Sequence, residues 1–260
     1  MGADLAAGDL DGPVPVGQGL SPWVEEGQWR HTQVRLGPES CLHGSVRPST
    51  GIVFAYWDVV AGSPPSGVMN PTVDLQVRFF SPPRVGLIRF RARTLRLGHT
   101  LYVGEGELRY EDDDRPFGVA TASFMNRELP FPDRAAGPSA EGKGPDGPGP
   151  SYRPLVGTRR VARGVLEMDA DLNTVQGTVS GATLGCLVEL AAVDLLSGPA
   201  AVAVDELDVR FLHKVRKGPL RATAAALRHR VDSGAVTVRV EVTDRGDGDR
   251  IVTYALAVCR

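Results

Sequence analysis

The sequence predicts an α+β protein built from two similar halves, each with one buried helix followed by antiparallel strands. Three observations predict it. Leu75, Val77, Arg78 and Phe79 recur as Leu207, Val209, Arg210 and Phe211 at a constant offset of 132 residues. Ser49-Thr50-Gly51 and Ser180-Gly181-Ala182 each open a largely apolar run, and these match at an offset of 131. Behind each run, apolar and polar residues alternate with the period of two that marks a half-buried strand.

The elements follow in chain order. Residues 1–19 are rich in Gly, Asp, Pro and Ala and cannot bury much surface, so they read as a flexible N-terminal tail. The first half spans 20–128. Its helix starts at Ser49, a good N-cap, runs to about Ala61 and is stopped by Gly62-Ser63-Pro64-Pro65. Val73, Leu75, Val77 and Phe79 then share one strand face, and Ile88, Phe90 and Ala92 alternate with Arg89, Arg91 and Arg93. Residues 129–154 hold no hydrophobic period and many Pro and Gly, which reads as a linker. The second half spans 155–260. Its helix runs from Ser180 to about Leu196 before Ser197-Gly198-Pro199. Val236, Val238, Val240 and Val242 alternate with polar residues, Gly246-Asp247-Gly248 signals a hairpin, and a last strand covers about Ile251 to Val258.

Composition narrows the function. The net charge is −2, which excludes a globally basic nucleic-acid surface. No stretch approaches the roughly 18 apolar residues of a membrane-spanning helix, and Met1 to Gly19 lacks the pattern of a secretory signal. Cys41, Cys186 and Cys259 cannot all pair and show no C-x-x-C spacing, so a reduced, cytoplasmic setting and no structural zinc are expected. Walker-type phosphate loops and H-E-x-x-H zinc spacing are absent.

The two runs carry a further pattern. Asp58 and Glu189 each lie nine residues after their serine, inside an otherwise apolar helix. Asn173 and Gly177 precede the second run, Asn70 to Leu75 follow the first, and Arg96-Leu97-Gly98-His99 forms a tight-turn signature. Together these resemble the hotdog-fold acyl-CoA thioesterases of the PaaI-like group, whose pattern is roughly N-x-x-G-x-x-H-G-G with an acid nine residues after the histidine. The resemblance covers about 200 of the 260 residues. It implies a tandem (double) hotdog, in which each half is a long central helix wrapped by a curved antiparallel sheet. The departures are serine in place of the motif histidine in both copies, no upstream asparagine in the first half, and Asn173 one residue too far from Gly177.

What the resemblance implies can be set against the chemistry. Hydrolysing a thioester requires donors for the developing oxyanion and a base or nucleophile. A helix N-terminus supplies unpaired N–H groups and the positive end of a dipole, and small residues allow close approach. Nine residues of helix place each acid about 13 Å from its own helix start, too far to serve it. In the hotdog pairing the helices lie antiparallel, so each acid faces the other helix. Asp58 would act with the amides of Gly181 and Ala182 and with Asn173. Glu189 would act with those of Thr50 and Gly51. A desolvated carboxylate with a raised pKa is a fitting general base. Against this, helices of every function begin with Ser and small residues, and an acid on a helix edge is often merely solvated.

Ser49, Ser180, Arg96 and His99 are candidate substrate contacts. His43 is a weaker one. Arg89, Arg91 and Arg93, or Lys214, Arg216 and Lys217, could attract coenzyme A phosphates, although a charged stripe is commonly a solvated face. Cys186, in a buried helix, reads as inert. The expectation is hydrolysis of an acyl-CoA or related carrier-bound thioester, with coenzyme A as part of the substrate and no metal or redox cofactor. No nucleic-acid or membrane partner is expected. The two halves form an internal pseudo-dimer, with further self-association left open. The rivals are a non-catalytic acyl-CoA-binding module, a hotdog hydratase or dehydratase (which would want an Asp/His pair that neither helix offers) and a structural subunit.

Overall fold

The structure is a computed structural model that describes residues 20–42, 45–62, 71–125, 157–170, 174–175, 178–197, 202–230 and 234–260. The predicted tail (1–19) and linker (129–154), with His43, Asn70, Asn173 and Gly177, lie outside the described residues.

In chain order the elements are β1 (Val24–Glu26), β2 (Trp29–Leu36), α1 (Thr50–Gly62), β3 (Thr72–Phe79), β4 (Gly86–Leu97), β5 (Leu101–Tyr110), β6 (Asp113–Met125), β7 (Arg159–Ala162), β8 (Val165–Met168), β9 (Thr174–Val175), β10 (Thr178–Val179), α2 (Gly181–Leu196), β11 (Val204–Phe211), β12 (Leu220–Arg230), β13 (Ala235–Asp244) and β14 (Arg250–Cys259). Twelve strands form one antiparallel sheet in the order β1-β2-β4-β5-β6-β3-β11-β14-β13-β12-β8-β7. Read outward from its centre, β3-β6-β5-β4-β2 on one side is repeated as β11-β14-β13-β12-β8 on the other. The repeat in the sequence is therefore a repeat in space. Its two signature strands pair with each other, Leu75 opposite Val209 and Val77 opposite Leu207.

Alternation decides which face of each strand is buried. Leu75, Val77 and Phe79 of β3, Ile88, Phe90 and Ala92 of β4, and Val236, Val238, Val240 and Val242 of β13 all point into the core. Their polar neighbours line the opposite face. There Arg91 pairs with Glu26 and Glu107, Arg93 pairs with Glu105, and both guanidinium groups lie 4.8 Å from the Trp29 ring. Arg91 and Arg93 of the β4 stripe are thus neutralised by their neighbours, whereas Arg89 forms no ion pair among the described residues. The predicted tight turn is the β4–β5 hairpin, closed by the Gly98 N–H donating to the Leu101 carbonyl at 2.9 Å.

The helices fill the concave side. Ile52, Val53, Phe54, Ala55, Tyr56, Trp57, Val60 and Ala61 of α1 are all buried. A helix buried round most of its circumference needs apolar residues on every face, which the sequence supplies. Each large apolar side chain removed from water contributes about 1.5–3 kcal/mol. Glycines let the elements come close. A Cβ on Gly106 of β5 would overlap the Trp57 ring and the Arg91 carbonyl oxygen, so only glycine leaves room for the tryptophan.

The helices run antiparallel and in contact. A Cβ on Gly51, at the start of α1, would lie 2.8 Å from Cys186 Cα in the middle of α2. A Cβ on Gly185 would overlap the Phe54 ring, and one on Gly181 would lie 3.1 Å from the carboxylate of Asp58 near the end of α1. Gly185→Ala is expected to cost about 1–3 kcal/mol by overpacking. Because the three atoms nearest to that Cβ all belong to the Phe54 ring, Phe54→Leu should restore much of that loss. Chemical denaturation of the two single variants and the double variant measures the coupling, and additive losses would contradict the packing described.

Candidate active site

Each helix start is set by local sequence. Ser49 precedes α1 and its Oγ accepts from the Ile52 N–H at 3.1 Å. Ser180 precedes α2 and its Oγ accepts from the Thr183 N–H at 3.1 Å. Both serines are N-caps, as the bland reading of the sequence had it. Each cap satisfies one N–H and leaves others at the helix start to find partners elsewhere.

At the start of α1 that partner is Glu189, from the middle of α2. Its carboxylate accepts from the Thr50 N–H at 2.9 Å, the Gly51 N–H at 2.8 Å and the Ser49 hydroxyl. The residue is 1% exposed. A buried carboxylate is tolerable here because three donors and the positive end of a helix dipole compensate for lost hydration. Thr50 Oγ1 donates to the Val204 carbonyl and ties this end to β11. A narrow cleft lined by Arg47, Ser49, Thr50, Pro83, Glu189 and Asp205 reaches this point from the surface.

The start of α2 is arranged differently. Asp58, from the last turns of α1, brings Oδ2 to 3.1 Å from the Cβ position of Gly181. Its Oδ1 accepts from the Thr72 hydroxyl at 2.6 Å. Among the described residues, the N–H groups of Gly181 and Ala182 have no hydrogen-bond partner. Burial pushes the Asp58 pKa up to about 6, with the Thr72 hydroxyl pulling the other way. The Phe211 ring closes over this end, 3.1 Å from the Gly181 Cβ position and 6.5 Å, centroid to centroid, from Phe54.

Of the residues singled out from the sequence, the fold brings Ser49, Thr50, Gly51 and Glu189 together in one cluster, and Asp58, Ser180, Gly181 and Ala182 in a second. Asn173 lies outside the described residues. Arg96 and His99 are exposed at the β4–β5 turn, and no hydrogen bond or ion pair among the described residues joins them to either helix start. Cys186 is buried beside Glu189, and both burial and that carboxylate push its thiol pKa up, so it is a poor nucleophile. Sequence reasoning missed Thr72 and Phe211. Thr72 stands within the Asn70 to Leu75 stretch and Phe211 ends the repeated strand motif, but nothing in either pattern said that these side chains face the other half.

Comparison with known proteins agrees with this architecture. The family model described as Thioesterase superfamily matches residues 51–117, which run from α1 to the start of β6. No curated protein matches the sequence significantly. Among solved structures, a hot dog fold protein of unknown function from Alicyclobacillus acidocaldarius is 18% identical, with 92% of this chain and 94% of that chain covered at a TM-score of 0.63. The tesB protein of Mycobacterium avium subspecies paratuberculosis is 16% identical over 91% of this chain and 94% of that one, at 0.64. The 12:0-ACP thioesterase of Umbellularia californica is 10% identical over 91% and 99%, at 0.60. At these identities the shared property is the fold, an antiparallel sheet wrapped on helices. By family model over residues 51–117 and by fold over nearly the whole chain, the likeness of this protein is to the hotdog-fold thioesterase superfamily.

Proposed function

We propose that the chain is a tandem double hotdog, with halves at 20–128 and 155–260, that hydrolyses an acyl-CoA or related carrier-bound thioester between its two helices. The single observation that carries this reading is the Asp58 carboxyl group. It is half-buried, has a pKa raised to about 6, and lies against the start of a helix whose first N–H groups are unpartnered among the described residues.

Those parts match the needs of the reaction. The thioester carbonyl oxygen sits on the Gly181 and Ala182 amides, where developing negative charge meets the positive end of α2. Asp58 then takes a proton from an attacking water, or attacks the carbonyl carbon itself. In both routes the C–S bond breaks, and the thiolate leaves and is protonated; in the second route the mixed anhydride formed on Asp58 is then hydrolysed by water, which releases the acid and restores the carboxylate. Thr72 orients the carboxylate by donating to Oδ1, which leaves Oδ2 toward Gly181. Asn173, Ser180, Arg96 and His99 are proposed as substrate contacts, with coenzyme A entering as part of the substrate. At the start of α1 the Thr50 and Gly51 amides already hold Glu189, which favours a binding or structural role for that cluster as the second reading. We place the protein in the cytoplasm. No helix among the described residues is long and apolar enough to cross a membrane.

A panel of acyl-CoA thioesters assayed by thiol release tests the reading. Asp58→Asn should lower kcat by about 100-fold or more, the usual scale for loss of a general base. Tight acyl-CoA binding with no turnover by the wild-type chain would support the binding-module alternative instead.

The pH profile has a defined sign. Asp58 must be ionised, so kcat/KM should rise through a pH of about 6 and level off above it. Stability moves the other way. The folded pKa lies above the ordinary carboxylate value of 3.8, so the contribution of this group is present at low pH and falls away as pH rises through about 6. Asp58→Asn should therefore unfold at a higher temperature than wild type at pH 8, with the difference shrinking toward pH 4.

Glu189→Gln is expected to do the reverse. A neutral amide accepts less well from three buried donors, so stability should drop by about 1–3 kcal/mol, while kcat at the Asp58 site changes little. Denaturant unfolding alongside the assay separates the two carboxyl groups. Loss of turnover without loss of stability would assign Glu189 a direct part in the chemistry.

A further inference from the structure

The loop after β11, residues 212–217, reads Leu-His-Lys-Val-Arg-Lys. It flanks the start of α2. The Val215 carbonyl accepts from Thr178 Oγ1 at 3.3 Å, two residues before Ser180, and Phe211 immediately before the loop lies on Gly181. Val215 is buried, while Lys214, Arg216 and Lys217 are exposed. The backbone is held from beneath by Asp244, which accepts from the Arg216 N–H at 2.7 Å, the Lys217 N–H at 3.0 Å and the Gly218 N–H at 2.8 Å. Burial alone would raise the Asp244 pKa, but these amides and that of Asp247 hold it below the ordinary value. The carboxylate therefore stays charged, and the basic side chains project from a fixed frame. Among the described residues, Arg216 and Lys217 form no ion pair.

The same loop in the first half is different. At the 132-residue offset, 80–85 reads Phe-Ser-Pro-Pro-Arg-Val. It flanks the start of α1, where Pro83 shares a cleft with Ser49, Thr50 and Glu189. Its one cation, Arg84, pairs with Asp112 at 2.6 Å and lies 4.2 Å from the Tyr110 ring. Asp112 is the counterpart of Asp244 at the same offset. In one half, then, the aspartate neutralises a side chain. In the other it takes up backbone N–H groups, and Arg216 and Lys217 stay without an ion pair among the described residues.

Two independent asymmetries coincide. The helix start with unpartnered amides has the basic loop. The helix start whose amides are filled by Glu189 has the neutral one. We propose that the chain works through one composite site, at the start of α2, and that the Arg216–Lys217 edge binds the phosphates of a coenzyme A thioester whose acyl group lies on Gly181 and Ala182. This rests on the thioester reading above and names its substrate class. Exposed cations on a fixed backbone suit phosphate, which brings full charge and several acceptors to a rim that stays wet. The cleft at the other helix start has the exposed Arg47 in its lining but ends on the Glu189 carboxylate, which occupies the Thr50 and Gly51 amides.

Calorimetric titration of the full chain with coenzyme A and with pantetheine, which lacks the phosphates, tests this directly. Wild type should bind coenzyme A on the order of tenfold more tightly, from two charge-assisted contacts at a solvated rim. Arg216→Ala/Lys217→Ala should bring coenzyme A to within a few-fold of pantetheine, and Arg84→Ala should change neither. Both positions are exposed, and circular dichroism confirms that the variants fold. Equal binding of the two ligands by wild type, loss of coenzyme A binding in Arg84→Ala, or no coenzyme A binding at all would each overturn the proposal. So would a preference for an acylated carrier protein that the double substitution removes while coenzyme A binding is unchanged. Hydrolysis of acyl-pantetheine separates the two readings. Turnover of both thioesters with identical KM sinks the phosphate edge alone, whereas phosphate-dependent binding with no turnover of either sinks only the hydrolytic reading.

Discussion

The structure depends on the contact between two antiparallel helices in which each helix start faces a carboxyl group of the other. A helix N-terminus in a protein interior is costly unless its N–H groups find acceptors. A buried carboxylate is costly unless it finds donors. Placing one against the other answers both requirements, and it does so only if the helices come close. Gly51 against Cys186 and Gly185 against Phe54 provide that closeness. The sheet then wraps what the helices have already arranged, with β3 and β11 joining the halves along the same axis.

The two ends answer the requirement to different degrees. Glu189 is saturated by three donors and is in effect part of the helix cap. Among the described residues Asp58 has one hydroxyl donor, and burial raises its pKa to about 6, so its charge is less fully compensated. Under-compensation is a defect in a purely structural contact and an asset in a catalytic one, because a carboxylate that is fully solvated by its protein has little affinity left for a proton.

Much of this was legible in the sequence, for identifiable reasons. The repeated strand motif identified β3 and β11 because apolar side chains must alternate on a sheet with one buried face. Serine followed by small residues located both helix starts, and an acid in an apolar helix signalled a polar partner across the interface. Other features depended on distances that no pattern encodes. Spacing gave Asp58 and Glu189 the same position in each repeat, yet one is locked onto amides and the other leans on Thr72, a residue from a strand rather than a helix. The arginines of β4 formed a conspicuous stripe, but the glutamate partners of Arg91 and Arg93 stand on β5 and β1 and their aromatic partner on β2, so the cancellation at those two emerges only once those strands are adjacent. Gly106 gave no hint that it exists to accommodate Trp57, because the indole reaches it from another layer.

The mirrored strand order about the β3–β11 seam has a consequence for how such a molecule can change. Where two identical subunits associate, every substitution appears twice, and neither pocket can be altered without its twin. Here the halves are encoded separately, so a residue can be exchanged on one flank alone. Glu189 opposite Asp58, and a proline-rich loop opposite a basic one, are differences that an assembly of identical chains could never hold. Joining the copies end to end turns symmetry from an obligation into a starting point, and specialisation of one flank with retirement of the other becomes reachable one codon at a time.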